Sequence, residues 1–345
     1  MMRKMKTSAV GAAMALAMMT TLLGNGASSY AAVRHAAPRE KIIKVAMIPK
    51  AMGVPYFTAA YDGAKSVAGK LGIQLTYSGP TTNPTAALQT SLINSFVAQG
   101  YNVIVISSID PAGVAPALRN AMRHGVKVEA WDADTIPGAR NVYVEGTTNP
   151  FLATAPLQTI ENKVHGKQTD VAVFSDTPTD QQHNIWLAEM RRLIATKYRN
   201  LHIVTVAYGQ SEPGPSLTAA ENLLKGYPNV KAIISIDATA FPAAAKAVDL
   251  LGKKGKIILT GFATPLSMKP YILNGTVTNV ILWDPLKFGE MSMYVARALV
   301  DGKIPKNGNG RVVLPGFGTF QERNHIMVMG KAFVWDKSNI ASVNF

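Results

Sequence analysis

The stretch that decides the fold of this chain runs Val103-Ile104-Val105-Ile106-Ser107-Ser108-Ile109-Asp110-Pro111. Its first half is a short β-branched apolar run, which is typical of a strand buried on both faces. Its second half ends in a helix-capping residue followed by proline, which presets the first turn of a helix. The stretch therefore predicts one β-strand that passes directly into one α-helix.

The same pattern recurs along the chain. A capping residue precedes proline at four further places, Asn83-Pro84, Asn149-Pro150, Thr264-Pro265 and Asp284-Pro285. Strand candidates of similar composition lie at 42–48, 73–77, 127–131 and 142–145, and again at 171–174, 203–207, 232–236, 257–259 and 277–282. Alternation of such strands with helices predicts an α/β protein with parallel sheets. Because these are too many strands for one sheet, the sequence predicts two similar doubly wound lobes that face each other across a cleft.

The first 31 residues have the pattern of a secretory signal peptide. Arg3, Lys4 and Lys6 form a basic start, residues 9–23 an apolar run, and a small residue, Ala31, ends the segment. The run is shorter than the roughly 20 residues that a membrane-spanning helix needs, and no cysteine follows it to carry a lipid. We therefore expect a soluble, exported protein that is not embedded in a membrane and works in a periplasm.

Composition excludes several classes of protein. The chain has no cysteine, so disulfide-stapled scaffolds and thiolate metal sites are ruled out. Lys plus Arg number 35 and Asp plus Glu number 21, a net charge of +14 that could suit nucleic acid. Export argues against nucleic acid, and the basic residues are dispersed along the helices, which indicates a solvated surface.

The usual signals of catalysis are missing from the sequence. The six histidines are scattered without the spacing of a metal site, and the glycine motifs of serine hydrolases and nucleotide-binding enzymes do not occur in their required context. We therefore expect no metal, no cofactor and no enzyme activity, and a binding protein instead.

Polar and aromatic residues at strand ends are the candidates for a ligand site, because side chains leave the sheet there. In the first lobe these are Lys50, the pair Tyr56-Phe57, and Asp132 beside Trp131. Lys50 could equally be a surface lysine, and the two aromatic residues could belong to the core. A second Trp-Asp pair, Trp283-Asp284, ends a late strand, where Asp284 also suits a helix cap. In both pairs we expect the aspartate to face the cleft and the tryptophan to lie behind it or at its rim.

The second lobe offers two loops. The first, residues 176–186, is a polar strand-to-helix loop that contains Asp180, Gln181, Gln182 and His183. The second, residues 237–245, begins with Asp237 and includes Ala244, whose small side chain lets a ligand approach backbone N–H groups. Taken alone, each loop is only a capped helix start.

Together these residues resemble the periplasmic sugar-binding proteins of the ribose type, especially the branch that contains autoinducer-2-binding and rhamnose-binding proteins. The resemblance is carried by Ile48-Pro49-Lys50, Gly79-Pro80-Thr81, Asp110-Pro111, Trp131-Asp132-Ala133-Asp134-Thr135, Asp237-Ala238, Phe241-Pro242-Ala243-Ala244-Ala245, Gly261-Phe262 and Leu282-Trp283-Asp284. It implies the type I periplasmic binding protein fold, with lobes joined by a three-crossing hinge. It also implies a monomer that delivers its ligand to an ABC permease with its ATPase.

The resemblance also suggests boundaries. We expect the crossings near 135–140, 262–265 and 284–285. The N-terminal lobe would then comprise 40–135 plus 265–284, and the C-terminal lobe 140–262 plus 286–345.

Four residues fall on positions that contact ligand in the autoinducer-2 binders: Lys50, Asp132, Pro242 and Ala244. The loop before Trp186 departs from that branch, because Gln182-His183 stands where an Asp-Gln pair is expected and Asp180-Gln181 comes two residues early. Either the loop bulges and restores the Asp-Gln pair, or the pocket has an amide and an imidazole in place of a carboxylate.

The sequence therefore predicts an exported receptor of an ABC-type importer that captures a small sugar, either an autoinducer-2-like furanose or a deoxyhexose such as rhamnose. The alternatives are a periplasmic sugar sensor that feeds a chemoreceptor or kinase and a sugar-processing enzyme.

Overall fold

The computed structural model describes residues 42–81, 84–343 and 345. The signal peptide expected over residues 1–31 lies outside this part of the chain. All ten strand candidates of the sequence are strands in the structure, with ends that differ by a few residues.

The first half of the chain alternates strands and helices. In chain order these are β1 (Ile43–Ile48), α1 (Pro55–Ala68), β2 (Ile73–Tyr77), α2 (Ala86–Ala98), β3 (Val103–Ile106), α3 (Pro111–Arg123), β4 (Lys127–Trp131) and β5 (Val142–Glu145). A short 3-10 turn, Gly69–Leu71, extends α1. The five strands pair in parallel and β1 and β3 are almost wholly buried, as their continuous apolar runs predict.

The second half repeats the alternation. Its elements are α4 (Asn149–Val164), β6 (Thr169–Ser175), α5 (Gln181–Thr196), β7 (Leu201–Tyr208), α6 (Pro213–Gly226), β8 (Ala232–Ser235), α7 (Ala240–Leu250), β9 (Ile258–Phe262), α8 (Pro265–Leu273) and β10 (Asn279–Leu282). These five strands are also parallel to one another.

The remaining segment forms α9 (Pro285–Val300), β11 (Gly310–Leu314), β12 (Gly318–Arg323), β13 (Ile326–Val328), β14 (Phe333–Trp335) and a 3-10 turn, Ile340–Ser342. The sequence patterns gave no secondary structure for residues 302–345. The segment contributes to both sheets: β12 pairs antiparallel with β11 and β13, β13 pairs parallel with β5, and β14 pairs antiparallel with β10.

Two sheets define two lobes within the described residues. The first has the order β11-β12-β13-β5-β4-β3-β1-β2 and the second has the order β14-β10-β9-β8-β6-β7. The prediction of an α/β protein with two doubly wound lobes is therefore confirmed.

The lobe boundaries differ from those expected. Residues 265–284 were expected in the N-terminal lobe, but β10 pairs with β9 and β14 in the second sheet. Residues 286–345 were expected in the C-terminal lobe, but α9 packs against α1, and β11 to β13 extend the first sheet beside β5. Pairing between strands that are far apart in sequence decides which lobe each segment belongs to. The local composition of a strand does not reveal its partner.

The crossings move accordingly. Because β5 pairs with β4, the chain first leaves the first lobe at 146–148 and not near 135–140. It returns at 283–284, as expected for one of the three crossings, and the stretch 262–265 lies wholly inside the second lobe. The third crossing is 329–332, between β13 and β14.

Helices α1 and α9 approach so closely that only glycine fits at their contact. A Cβ at Gly289 would overlap the carbonyl oxygen of Ala60, and one at Gly63 would overlap the carbonyl oxygen of Leu286. Helix α9 is thereby held on the first lobe, although the chain reaches it only after it has completed the parallel strands of the second lobe.

Candidate functional site

A cavity of about 580 Å³ lies between the lobes, at the carboxyl ends of both sets of parallel strands. The strand order reverses between β1 and β3 in the first sheet and between β6 and β8 in the second. Loops diverge at such switch points, and open α/β sheets bind ligands there. Lys50 follows β1, Asp176 follows β6 and Asp237 follows β8, so these three cavity-lining residues come from the two switch points.

Nine of the thirteen site residues predicted from the sequence line this interlobe cavity: Lys50, Tyr56, Phe57, Asp132, Asp180, Gln182, His183, Asp237 and Trp283. The other four lie elsewhere. Gln181 is exposed at the start of α5, and Pro242 lines a groove at the mouth of the cleft. Ala244 is fully buried within α7, and Asp284 caps α9 by accepting a hydrogen bond from the backbone N–H of Lys287.

An ion pair joins the two lobes across the cavity. The ammonium of Lys50, in the first lobe, donates to the carboxylate of Asp180, in the second, at 2.5 Å. Burial alone would lower the pKa of Lys50, but the carboxylates of Asp180, Asp176 and Asp132 raise it above its ordinary value. The lysine therefore stays charged and is available as a donor to ligand oxygens.

The start of α5 supports a second buried ion pair. Asp180 caps the helix by accepting from the backbone N–H of His183 at 2.8 Å, which brings the two side chains to one face. Nδ1 of His183 lies 3.0 Å from both the Asp176 carboxylate and the Ser175 hydroxyl. Burial opposes the charge on His183, but Asp180 and Asp176 raise its pKa to about 9.

Asp176, Asp180 and His183 lie close enough together to ligate a metal ion. In the structure, Lys50 and the protonated His183 supply the positive charge that such an ion would bring. The cluster is thus an internally paired network of two acids and two bases.

Asp132 occupies a strained position at the end of β4. Its φ is +62°, a left-handed conformation that is uncommon outside glycine. The Ser107 hydroxyl donates to its carboxylate at 2.7 Å, and the Tyr143 hydroxyl donates to its backbone carbonyl at 2.8 Å. Burial raises the pKa of Asp132, and the nearby Lys50 opposes that shift.

The two Trp-Asp pairs are arranged differently. Trp131 is fully buried behind Asp132, as expected, and packs against Phe57 and Phe288. In the second pair the roles are reversed, since Trp283 lines the cavity and Asp284 caps the helix. Asp132 therefore lines the cavity as expected, whereas Asp284, which was expected there, does not.

Asp237 is the acidic group of the β8 loop. Its carboxylate accepts from the backbone N–H groups of Thr239 at 3.1 Å and Ala240 at 2.6 Å. Burial, followed by repulsion from Asp176, raises its pKa to about 6.

Aromatic rings form the apolar walls. Tyr56 meets Trp283 edge to face at 5.8 Å between centroids, and on the second lobe Trp186 meets Phe262 at 5.2 Å. These groups suit a small polyhydroxylated molecule. The carboxylates can accept hydrogen bonds from its hydroxyl groups, the ammonium can donate to its oxygens, and the ring faces can cover its C–H surfaces.

Sequence reasoning missed several lining or supporting residues. Asp176 stood in the polar loop that the sequence singled out, but only the strand order shows that it faces the cavity. Gln210 and Ser211 line the cavity with φ of +59° and +53°, and neither is a glycine, the residue type that would have indicated this backbone conformation. Ser107 supports Asp132 from the neighbouring strand end, which only the β3–β4 pairing reveals.

Two α/β lobes with a buried, polar and aromatic cavity at their switch points define a protein that encloses a small solute. Comparison with known families agrees, because the model of the periplasmic binding protein domain matches residues 45–304. The chain belongs to this family, and within it to the ribose-type sugar-binding proteins.

Individual relatives are consistent with this assignment. The D-ribose/D-allose-binding protein of Pseudomonas aeruginosa is 21% identical over 288 residues, which are 81% of this chain and 88% of that protein. LsrB from Clostridium saccharobutylicum in complex with AI-2 superposes with a TM-score of 0.83 at 28% identity, covering 88% of this chain and all of that one. A solute-binding protein from Clostridium phytofermentas with bound L-rhamnose gives 0.82 at 28% identity, covering 87% and 98%.

The relatives that match the chain are sugar-binding transport proteins, which supports a binding role and not an enzymatic one at the level of the family. Among the described residues, none of the helices has the length and apolar character that crossing a membrane requires.

Proposed function

We propose that this protein is the exported, periplasmic receptor of an ABC importer and that it captures one small sugar in the interlobe cavity. The ligand is an autoinducer-2-like furanose or a deoxyhexose such as rhamnose. The protein acts as a monomer, without cofactor or metal, and hands the sugar to a permease with its ATPase.

The observation that carries this proposal is the convergence of hydrogen-bonding groups from both lobes on one aromatic-walled cavity. Lys50 and Asp132 reach it from the first lobe, and Asp180, His183 and Asp237 from the second. A ligand that bonds to both sets favours closure of the lobes, because those bonds form together only when the lobes meet.

The sugar itself depends on the start of α5. The sequence left two pairs open, and the structure brings Asp180, Gln182 and His183 to the cavity while Gln181 stays exposed. The carboxylate of the Asp180-Gln181 pair and both side chains of the Gln182-His183 pair thus line the cavity together. In such a site Asp180 can accept hydrogen bonds from two vicinal hydroxyl groups of a sugar, and the amide and imidazole can contact a further oxygen atom.

Thermal unfolding with a panel of sugars tests the proposal. The mature protein is unfolded, refolded and titrated with autoinducer-2, L-rhamnose, D-ribose and related sugars. A ligand at 100 times its dissociation constant stabilises the fold by about 2.7 kcal/mol, which is a shift of several degrees. No shift with any sugar would overturn the proposal.

The matched variant is Asp132→Asn, which keeps the shape of the side chain but weakens its acceptor. We expect the shift for the best sugar to disappear while the unliganded melting temperature changes little. The control is Asp110→Asn in the same lobe, where asparagine can still cap α3. This control should bind the sugar as the wild type does, and equal loss in both variants would contradict a direct role for Asp132.

A further inference from the structure

The first crossing, residues 146–148, and the first residue of α4, Asn149, contact two tryptophans of the cavity wall without lining the cavity themselves. At one end, Gly146 lies against the indole of Trp283, so closely that a Cβ would overlap the ring. At the other end, the side chain of Asn149 reaches α5. Trp283 and Trp186 both line the cavity, and this segment contacts both.

Asn149 accepts two hydrogen bonds at one atom. Its Oδ1 receives Nε1–H of Trp186 at 2.8 Å and Nε2–H of Gln182 at 2.9 Å. The sequence pattern predicts a helix cap at this position, but the cap of α4 is Thr148 and Asn149 is the first helical residue. Its side chain is therefore free to hold two cavity-lining groups of another helix.

Trp283 is held by three neighbours, one of which is Phe288, whose ring meets the indole edge to face at 5.9 Å between centroids. The backbone of Gly146 supports one part of the indole, and the ring of Tyr56 meets it edge to face. The indole is 5% exposed, so a side chain added at residue 146 can be accommodated only if the ring moves. The free side of the indole is the cavity.

We propose that Gly146 and Asn149 are positioning residues that set the width of the interlobe cavity through Trp283 and Trp186. Because Gly146 lies on the crossing between the lobes and Asn149 is the first residue of the helix that follows, one short segment contacts both tryptophans of the cavity wall. The sugar-binding part of the test rests on the proposed function, whereas the positioning of the two indoles does not.

The indole N–H resonances of the unliganded protein test the positioning directly. The chain has four tryptophans, and Trp186→Phe assigns the resonance of Trp186. We expect Asn149→Ala to shift that resonance and to speed its exchange with solvent. Asn149→Asp keeps an acceptor oxygen and should preserve both properties, and Gly146→Ala should shift the resonance of Trp283. Unchanged resonances in Asn149→Ala and Gly146→Ala would overturn the proposal whatever the ligand is.

Affinity for the best sugar of the panel gives the second readout. Loss of two buried hydrogen bonds in Asn149→Ala should weaken binding about tenfold, and Asn149→Asp should stay within about twofold of the wild type. The control is Thr148→Ala, since the Thr148 side chain is exposed and makes no capping bond. In the background of Trp186→Phe, the effect of Asn149→Ala should shrink, because one of the two bonds is already absent.

Gly146→Ala tests cavity width. Displacement of the indole into the cavity should weaken binding of a six-carbon sugar more than that of D-ribose. Equal affinities in all variants, with a sugar that the wild type binds, would overturn the role in specificity. If no sugar binds the wild type, the proposed function fails, and the resonances alone decide whether the two residues position the tryptophans.

Discussion

At the scale of single residues, the site is a set of charges that stabilise one another in a buried place. Lys50 and His183 are both buried bases whose pKa values burial alone would lower, and neighbouring carboxylates raise both pKa values above their ordinary range. The pKa of Asp176 is correspondingly held below its ordinary range: burial would raise it, but His183 and Lys50 lower it more. Such a network makes stability depend on pH.

The charge on His183 leads to a prediction for pH. Its pKa in the folded protein, about 9, lies above the ordinary value of 6.5, so protonation stabilises the fold. That contribution is fully present below about pH 6.5 and is lost as pH rises through 9. In urea titrations we expect the difference in unfolding free energy between wild type and His183→Gln to fall by on the order of 3 kcal/mol from pH 6 to pH 10.

The matched control is His202→Gln, at an exposed position on β7. This variant removes a histidine that has no contact with the buried ion pairs, so the same urea titrations show how far the effect of His183→Gln belongs to its position. Parallel pH curves for wild type and His183→Gln would show that folding does not shift the pKa of the histidine, which would contradict its stabilisation by the buried carboxylates.

Residue-level reasoning from strand ends selected some of the residues that line the cavity and passed over others. Lys50, Asp132 and Asp237 each come just after a strand and line the cavity, but so does Asp176 after β6, which was not selected. Prediction failed for Ala244 and Pro242, where the resemblance supplied the role and the helix α7 places the side chains in the core and at the mouth. It also failed for Asn149, because a contact between two helices leaves no local pattern.

At the scale of elements, proline after a capping residue marks the neighbourhood of a helix start but not always its first residue, since α4 begins one residue before Pro150 and α2 two residues after Pro84. Helices α3, α8 and α9 each begin at the proline, and the residue before it accepts a backbone N–H. The strands after residue 302 are short and of mixed composition, so no periodicity announces them. Their pairing partners lie far away in sequence, and only the folded sheets show where they belong.

The α1–α9 contact yields a prediction on packing. Gly289→Ala places a methyl group on the carbonyl of Ala60, and both helices must separate to admit it. We expect a loss of about 3 kcal/mol in unfolding free energy, measured by denaturant titration of the unliganded protein. Gly214→Ala is the control, because this helical glycine has open space around its Cβ position. The control should be neutral or slightly stabilising, and equal effects would show that the two helices are not tightly packed.

At the scale of the whole molecule, the count of strands correctly predicted two sheets but could not assign every strand to its sheet. The chain completes β10 in the second lobe and only then returns to cover the first with α9. Two of the three crossings were misplaced for the same reason, since each misassigned strand moves a crossing with it. Once the strand order of each sheet is known, the positions of the switch points and of the cleft follow from it.

The ion pair between Lys50 and Asp180 couples this architecture to opening of the lobes. Lys50→Met leaves Asp180 buried without its ammonium, which favours separation of the lobes and hydration of the carboxylate. Small-angle X-ray scattering of the unliganded Lys50→Met protein should give a larger radius of gyration than that of the wild type, and affinity for the best sugar should fall on the order of 100-fold.

Lys50→Met combined with Asp180→Asn removes the unpaired charge and should restore the smaller radius without restoring affinity. Arg192→Met, which breaks the exposed pair with Glu189 on α5, should change neither quantity. An unchanged radius in Lys50→Met would mean that the ion pair is incidental to closure.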